Sequence, residues 1–146
     1  MNDAGSAASQ PGSSDIAELA AIELRLTAGS EYLSTVRAVA ADLALQQDMT
    51  LDEVDDLRLA VDEACSMLVP LAAPGAELRC RFSLAEREIR VRCSVPASTP
   101  ELPPTDGFPW QVLMTLADSV RAHVERGTGD GDVVWIELAK QKVDRA

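Results

Sequence analysis

The stretches Glu77-Leu78-Arg79-Cys80-Arg81-Phe82-Ser83-Leu84 and Glu88-Ile89-Arg90-Val91-Arg92-Cys93-Ser94-Val95 are two runs in which every second residue is apolar. A period of two places alternate side chains on opposite faces, so each run predicts a half-buried β-strand. A turn at Ala85 to Glu88 sets Leu84 opposite Ile89, Phe82 opposite Val91 and Cys80 opposite Cys93, so every apolar residue meets another. The same register sends Arg79, Arg81, Arg90 and Arg92 to the outer face, where acidic neighbours on adjacent strands suffice to balance them. Cys80 and Cys93 then read as small apolar fillers of the core, with a redox-sensitive cross-strand bridge as the alternative.

Upstream, Ile22, Leu24 and Leu26 alternate with Glu23, Arg25 and Thr27, which suits a further strand ended by Ala28-Gly29-Ser30. Between Glu31 and Leu45, Leu33, Val36, Ala40 and Leu43 recur at spacings of three and four, predicting an amphipathic helix that Ser30 caps, with Arg37 at the edge of its stripe. Thr50-Leu51-Asp52-Glu53 is a capping box: hydroxyl and carboxylate each satisfy an orphan amide of the first turn. The helix it opens keeps Val54, Leu57, Val61, Cys65 and Leu68 on one stripe and runs to about Val69 before Pro70 stops it. Glu63 lies almost opposite that stripe, with Leu59 and Met67 one turn to either side. Such a back face is either covered by a neighbouring helix or borders a pocket.

Downstream, the segment Pro96 to Pro109 holds five prolines and predicts a stiff loop, functional or a relic of function. A short helix follows, with Pro109 near its first position and Trp110, Leu113, Leu116, Ala117 and Val120 turned inward. Val120, Ala122 and Val124, then Val134, Ile136 and Leu138, alternate as a closing hairpin whose turn is Gly127-Thr128-Gly129-Asp130-Gly131. His123 falls in the exposed phase.

A chain of 146 residues allows one domain, read as residues 20–140 between a flexible tail at 1–19 and a C-terminal tail at 141–146. Its 13 basic and 24 acidic side chains give a net charge of −11, which repels phosphate backbones and anionic lipid and favours a basic protein partner. No apolar run is long enough to span a bilayer and no leader precedes the domain, so a cytoplasmic protein is expected. Three cysteines form neither an even framework nor a C-x-x-C pair, so no disulfide scaffold and no metal site is indicated. One histidine and no serine, histidine and acid cluster leave hydrolase chemistry without its residues.

With the run Leu57-Arg58-Leu59-Ala60-Val61-Asp62-Glu63-Ala64-Cys65 and the later Val112-Leu113-Met114-Thr115-Leu116-Ala117-Asp118-Ser119-Val120, this order of elements resembles the bacterial anti-sigma factor and serine-protein kinase family of sporulation and stress responses. That family lies within the histidine-kinase-like ATPases of the Bergerat fold. The resemblance covers roughly residues 20 to 140. It implies an α+β, two-layer sandwich: a mixed, mainly antiparallel sheet with about three helices on one face.

The resemblance also implies roles. Glu63 takes the place of a general base that acts on a substrate serine. Met67 stands where an asparagine oxygen holds the magnesium of ATP, and a thioether suits that hard ion poorly. Pro96-Ala97-Ser98-Thr99-Pro100 replaces an Asp-x-Gly-x-Gly box, and Phe108-Pro109-Trp110 replaces a phosphate-binding glycine box. Each loss costs a few kcal/mol, whereas micromolar nucleotide binding is worth only about 8 kcal/mol in all. No cofactor is therefore expected, and kinase activity is absent or very weak; ATP and magnesium belong only to the alternative, an active serine kinase. Arg37 matches an arginine on the surface shared by sigma factor and antagonist, with Glu31 and Ser34 as neighbours. The expected partners are an alternative sigma factor, an anti-anti-sigma protein and a second copy of the chain through its sheet side, with no direct nucleic acid and no membrane.

Overall fold

The computed structural model describes residues 17–99, 101–127 and 131–143. Its elements are β1 (Ala20–Thr27), α1 (Leu33–Gln46), α2 (Leu51–Leu68), β2 (Glu77–Ala85), β3 (Glu88–Ala97), α3 (Phe108–Leu116), β4 (Ser119–Glu125) and β5 (Asp132–Gln141). The five strands form one sheet in the order β1-β2-β3-β5-β4, antiparallel throughout rather than mainly so. The β2–β3 register is the expected one, with Leu84 opposite Ile89, Phe82 opposite Val91 and Cys80 opposite Cys93.

Alternation makes the sheet two-sided. Leu78, Cys80, Phe82, Ile89, Val91, Cys93, Val95, Val134, Ile136 and Leu138 are buried in one cluster with the inward stripes of the helices. The α2 stripe of Val54, Leu57, Val61, Cys65 and Leu68 is buried as its spacing predicts, and Leu33, Val36, Ala40 and Leu43 of α1 join it. Trp110 and Leu113 of α3 close the cluster. Ile22, Leu24 and Leu26 are only half-buried, because β1 is an edge strand at the margin of the helical layer.

The α2 capping box forms on both sides: Thr50 Oγ1 accepts from the Glu53 amide at 3.1 Å, and Glu53 Oε1 accepts from the Thr50 amide at 2.7 Å. The other carboxylate oxygen of Glu53 accepts from the Val143 amide at 2.7 Å, so a residue only 5% exposed ties the helix start to the chain beyond β5. Lys140 adds a second tie, donating to Asp56 Oδ2 at 3.2 Å and to the Leu116 carbonyl at 3.1 Å.

Three expectations are corrected. Ser30 is not a cap: Ser30–Tyr32 form a 3-10 turn, and neither this turn nor α1 carries a side-chain capping bond. The chain enters α1 by tightening instead of by a hydroxyl. Pro96 and Ala97 belong to β3 rather than to the loop. The Pro96 carbonyl accepts from the Ala73 amide at 2.8 Å, on the side away from β5, so the missing proline N–H removes nothing from the β3–β5 ladder. Gln141 is the last residue of β5, and the Lys142 amide donates to the Arg87 carbonyl, so ordered backbone enters the stretch expected as a tail.

At the other end, the Leu19 amide donates to the Leu84 carbonyl at 2.7 Å, one residue before β1. The tail through residue 16, Pro100 of the proline segment, the hairpin turn at 128–130 and the final three residues lie outside the described residues.

Thr50→Ala is expected to lower unfolding stability by about 1 kcal/mol through its one lost cap bond. Glu53→Ala is expected to cost more, about 2 kcal/mol, because it removes a buried carboxylate that accepts from two backbone amides. Urea titration of the two variants checks the order; equal losses would contradict the double role of Glu53.

Candidate functional site

Helices α1 and α2 pack against each other and present the residues singled out from the sequence. Val36 and Ala40 point into the core, which carries Arg37 to the seam between the helices. There its guanidinium Nη1 donates to Asp62 Oδ1 at 2.7 Å, with the two side chains 35% and 30% exposed. Ser34 lies one turn earlier on α1 and Glu31 in the 3-10 turn that precedes the helix, both exposed, and the chain's single tyrosine, Tyr32, is exposed between them.

Asp62 and Tyr32 were not identified from the sequence as site residues. An exposed aromatic beside an arginine is a usual composition for a recognition surface and could have pointed to Tyr32. Nothing local pointed to Asp62: it pairs with a residue 25 positions away, and only the packing of two helices reveals it.

Glu63 follows Asp62 and is half-buried. Among the described residues it makes no hydrogen bond or ion pair. The row it belongs to is half open, for Leu59 is 43% exposed while Met67 packs against the core. The back face of α2 is thus covered at its C-terminal end and bare near Leu59.

The positions implied for a nucleotide are also placed. Met67 offers a thioether already engaged in packing, and Ser98 and Thr99 are exposed after β3. Pro109 sits in the first turn of α3 with no amide hydrogen, and Gly107 supplies no side-chain cap. A shallow cleft of about 200 Å³ runs along α3, lined by Phe108, Gln111, Val112, Thr115 and Leu116, none of them charged. A magnesium ion wants oxygen ligands and a triphosphate wants free amides or cations. The residues present do not fit a magnesium-bound triphosphate.

The outer sheet face is a second charged surface. Arg25, Arg79, Arg81, Arg90, Arg92 and Arg121, six of the chain's 13 basic residues, project from it. Glu137 is buried between Arg92 at 3.3 Å and Arg121 at 2.8 Å. Trp135 is only 6% exposed although it lies on this uncovered face, because the Arg92 guanidinium stacks 4.1 Å above its ring and the exposed His123 lies 5.2 Å away. Among the described residues its indole Nε1 has no hydrogen-bond partner. With so many cations on the sheet side, the helical side is left acidic: residues 48 to 63 hold seven carboxylates against Arg58.

Residues 26–138 match the histidine kinase-like ATPase domain family. The anti-sigma-F factor RsbW of Mycobacterium tuberculosis is 37% identical over 124 residues, 84% of this chain and 74% of that protein. The serine-protein kinase RsbW of Bacillus subtilis is 33% identical over 73 residues, 48% of this chain and 46% of that protein. The chain therefore belongs to the histidine kinase-like ATPase domain family and to its anti-sigma factor and serine-protein kinase branch.

The Arg37–Asp62 pair is expected to show a coupling below about 1 kcal/mol in a double-mutant cycle of unfolding, since both groups remain in contact with water. A coupling of several kcal/mol would mean that the pair holds the helices together rather than merely orienting Arg37.

Proposed function

We propose that this protein is an anti-sigma factor: it captures an alternative sigma factor on the α1–α2 face around Arg37 and is released by an anti-anti-sigma antagonist. The observation that carries this reading is the exposed Glu31, Tyr32 and Ser34 beside an oriented Arg37, on the acidic side of a chain whose relative is an anti-sigma-F factor. Sigma factors are basic where they meet DNA. A protein of charge −11 with its cations gathered on the opposite face attracts such a partner and repels competing nucleic acid.

In this reading the protein works without ATP, magnesium or kinase activity. Met67 and Pro109 support that part, as ligand substitutions a nucleotide site would not tolerate. Switching is then competition between two protein partners for one face. The protein acts in the cytoplasm in stress or sporulation control, as a homodimer through its outer sheet face. Among the described residues no helix is long and apolar enough to cross a membrane.

One observation favours a second reading, an active serine kinase. Glu63 keeps the position of the general base, half-buried and without a partner among the described residues, and the Bacillus relative is a serine-protein kinase.

Two measurements separate the readings. Purified protein is expected to inhibit transcription by one alternative sigma factor of its host, with Arg37→Glu weakening that complex about tenfold or more, a loss of at least 1.4 kcal/mol. Inhibition of none of the host's alternative sigma factors would overturn the proposal. Calorimetric titration with magnesium-ATP is expected to give no heat of binding; micromolar binding together with phosphate transfer lost in Glu63→Gln would establish the kinase.

A further inference from the structure

Cys65 of α2, Cys80 of β2 and Cys93 of β3 converge in the core, all three buried and unbridged. Cys65 Sγ lies 3.8 Å from Cys80 Sγ and 3.7 Å from Cys93 Sγ, and the three sulfurs fall within 4.8 Å of one another. Cys80 and Cys93 are direct partners across the strands, and Cys65 descends on them from the helix layer. One sulfur thus faces two alternative sulfur partners, in contact with each.

We propose that this trio is a redox modification site, in which a hydroperoxide converts Cys65 and one of the two strand cysteines into an intramolecular disulfide that ties α2 to the sheet. The inference is independent of the sigma-capture reading.

Charge decides between this chemistry and a metal. Three sulfurs suit a soft ion by type. Two or three thiolates around a monovalent ion, or three around a divalent one, leave net negative charge inside an apolar core, where contact with the Cys80 sulfur and burial already disfavour ionisation of Cys65. A disulfide is neutral, as are the two thiols it replaces. Hydrogen bonding by the Cys65 and Cys93 thiols outweighs burial and holds the Cys80 thiol below the ordinary cysteine range, while those contacts and burial push Cys93 up.

The steps balance. In the opened seam the thiol of one strand cysteine, Cys80, gives up its proton and the sulfur attacks one peroxide oxygen; an S–O bond forms, the O–O bond breaks, and the departing oxygen takes that proton to leave as water from hydrogen peroxide. The Cys65 sulfur then attacks the sulfenic sulfur; the S–S bond forms, the S–O bond breaks, and the hydroxyl leaves with the Cys65 proton as a second water. Two thiols are oxidised and one peroxide is reduced. Cys93, in contact with Cys65, can exchange into the bridge. Burial means that the reaction waits on transient opening of the seam between α2 and β2, which favours a small, uncharged oxidant.

The test treats the full chain with hydrogen peroxide and then alkylates it under denaturing conditions. Arg79, Arg81 and Arg92 place each cysteine on its own tryptic peptide, so the bridged pair is read directly. The expected result is a monomer lighter by about 2 Da, one alkylated thiol in place of three, and a linked peptide that contains Cys65. Cys93→Ala, which keeps the 3.8 Å pair, is expected to form the Cys65–Cys80 bridge alone. Three free thiols after peroxide, a bridge only between chains, or protein that arrives with a bound metal ion on its sulfurs would each overturn the proposal.

Discussion

The β2–β3 register is the constraint on which the rest of the molecule depends. With Leu84 opposite Ile89 and Cys80 opposite Cys93, one face of the sheet is apolar and the other carries arginine. A slip of β3 by one residue against β2 would turn Ile89, Val91 and Val95 to water and drive Arg90 and Arg92 into the helical layer. Each fully buried large aliphatic or aromatic side chain is worth roughly 1.5 to 3 kcal/mol, and an unpaired buried guanidinium costs more than that. No alternative pairing competes. The separation of charge between the two faces follows from this register, and so does the convergence of the three sulfurs under α2.

Helix α2 translates the sheet into a surface. Its buried stripe does most of the holding, while its ends and flanks are placed by polar contacts: Glu53 to the Val143 amide, Asp56 to Lys140, Asp62 to Arg37. These contacts differ in weight because they differ in exposure. Glu53 is sealed and its two accepted bonds are costly to lose, whereas Asp62 keeps water and contributes under about 1 kcal/mol. The weak pair sits on the candidate recognition face and the strong one far from it. Fold stability is thereby uncoupled from whatever Arg37 does with a partner.

Much of this was legible in the sequence, for reasons that can be named. The strand pair could be read because period-two alternation decides which residues face inward and a short turn at Ala85 to Glu88 then sets their partners. The capping box could be read because both bonds form within four residues. What escaped notice depends on the third dimension. Cys65 is obviously on the α2 stripe, but only the seating of that stripe over β2 and β3 brings its sulfur to Cys80 and Cys93. Trp135 alternates outward as the pattern requires and is nevertheless buried, since Arg92 and His123 cover it from its own face. Ser30 and Pro96 misled for a different reason: residue type is a local preference, and a 3-10 entry and a carbonyl turned to Ala73 satisfied the backbone by other means. The roles of Arg37, Glu31, Ser34 and Glu63 came from resemblance, and what the structure adds is where each one stands.

The proposed loss of nucleotide ligand groups would leave the shape of the scaffold intact. On the proposed reading Met67 stands in place of an oxygen donor, where it fills space in the cluster, and Pro109 lacks an amide at a position where a helix leaves it unpaired anyway. Both substitutions are neutral or favourable to the fold and unfavourable to a bound triphosphate. A protein–protein face makes the opposite demand. Glu31, Tyr32 and Ser34 contribute little to the core, so folding stability does little to hold their identities. Arg37 is half-buried and hydrogen-bonded to Asp62, which biases the rotamers a partner would otherwise have to select. The proposed anti-sigma reading accordingly asks of this chain recognition by an oriented surface, and not chemistry at a buried cation.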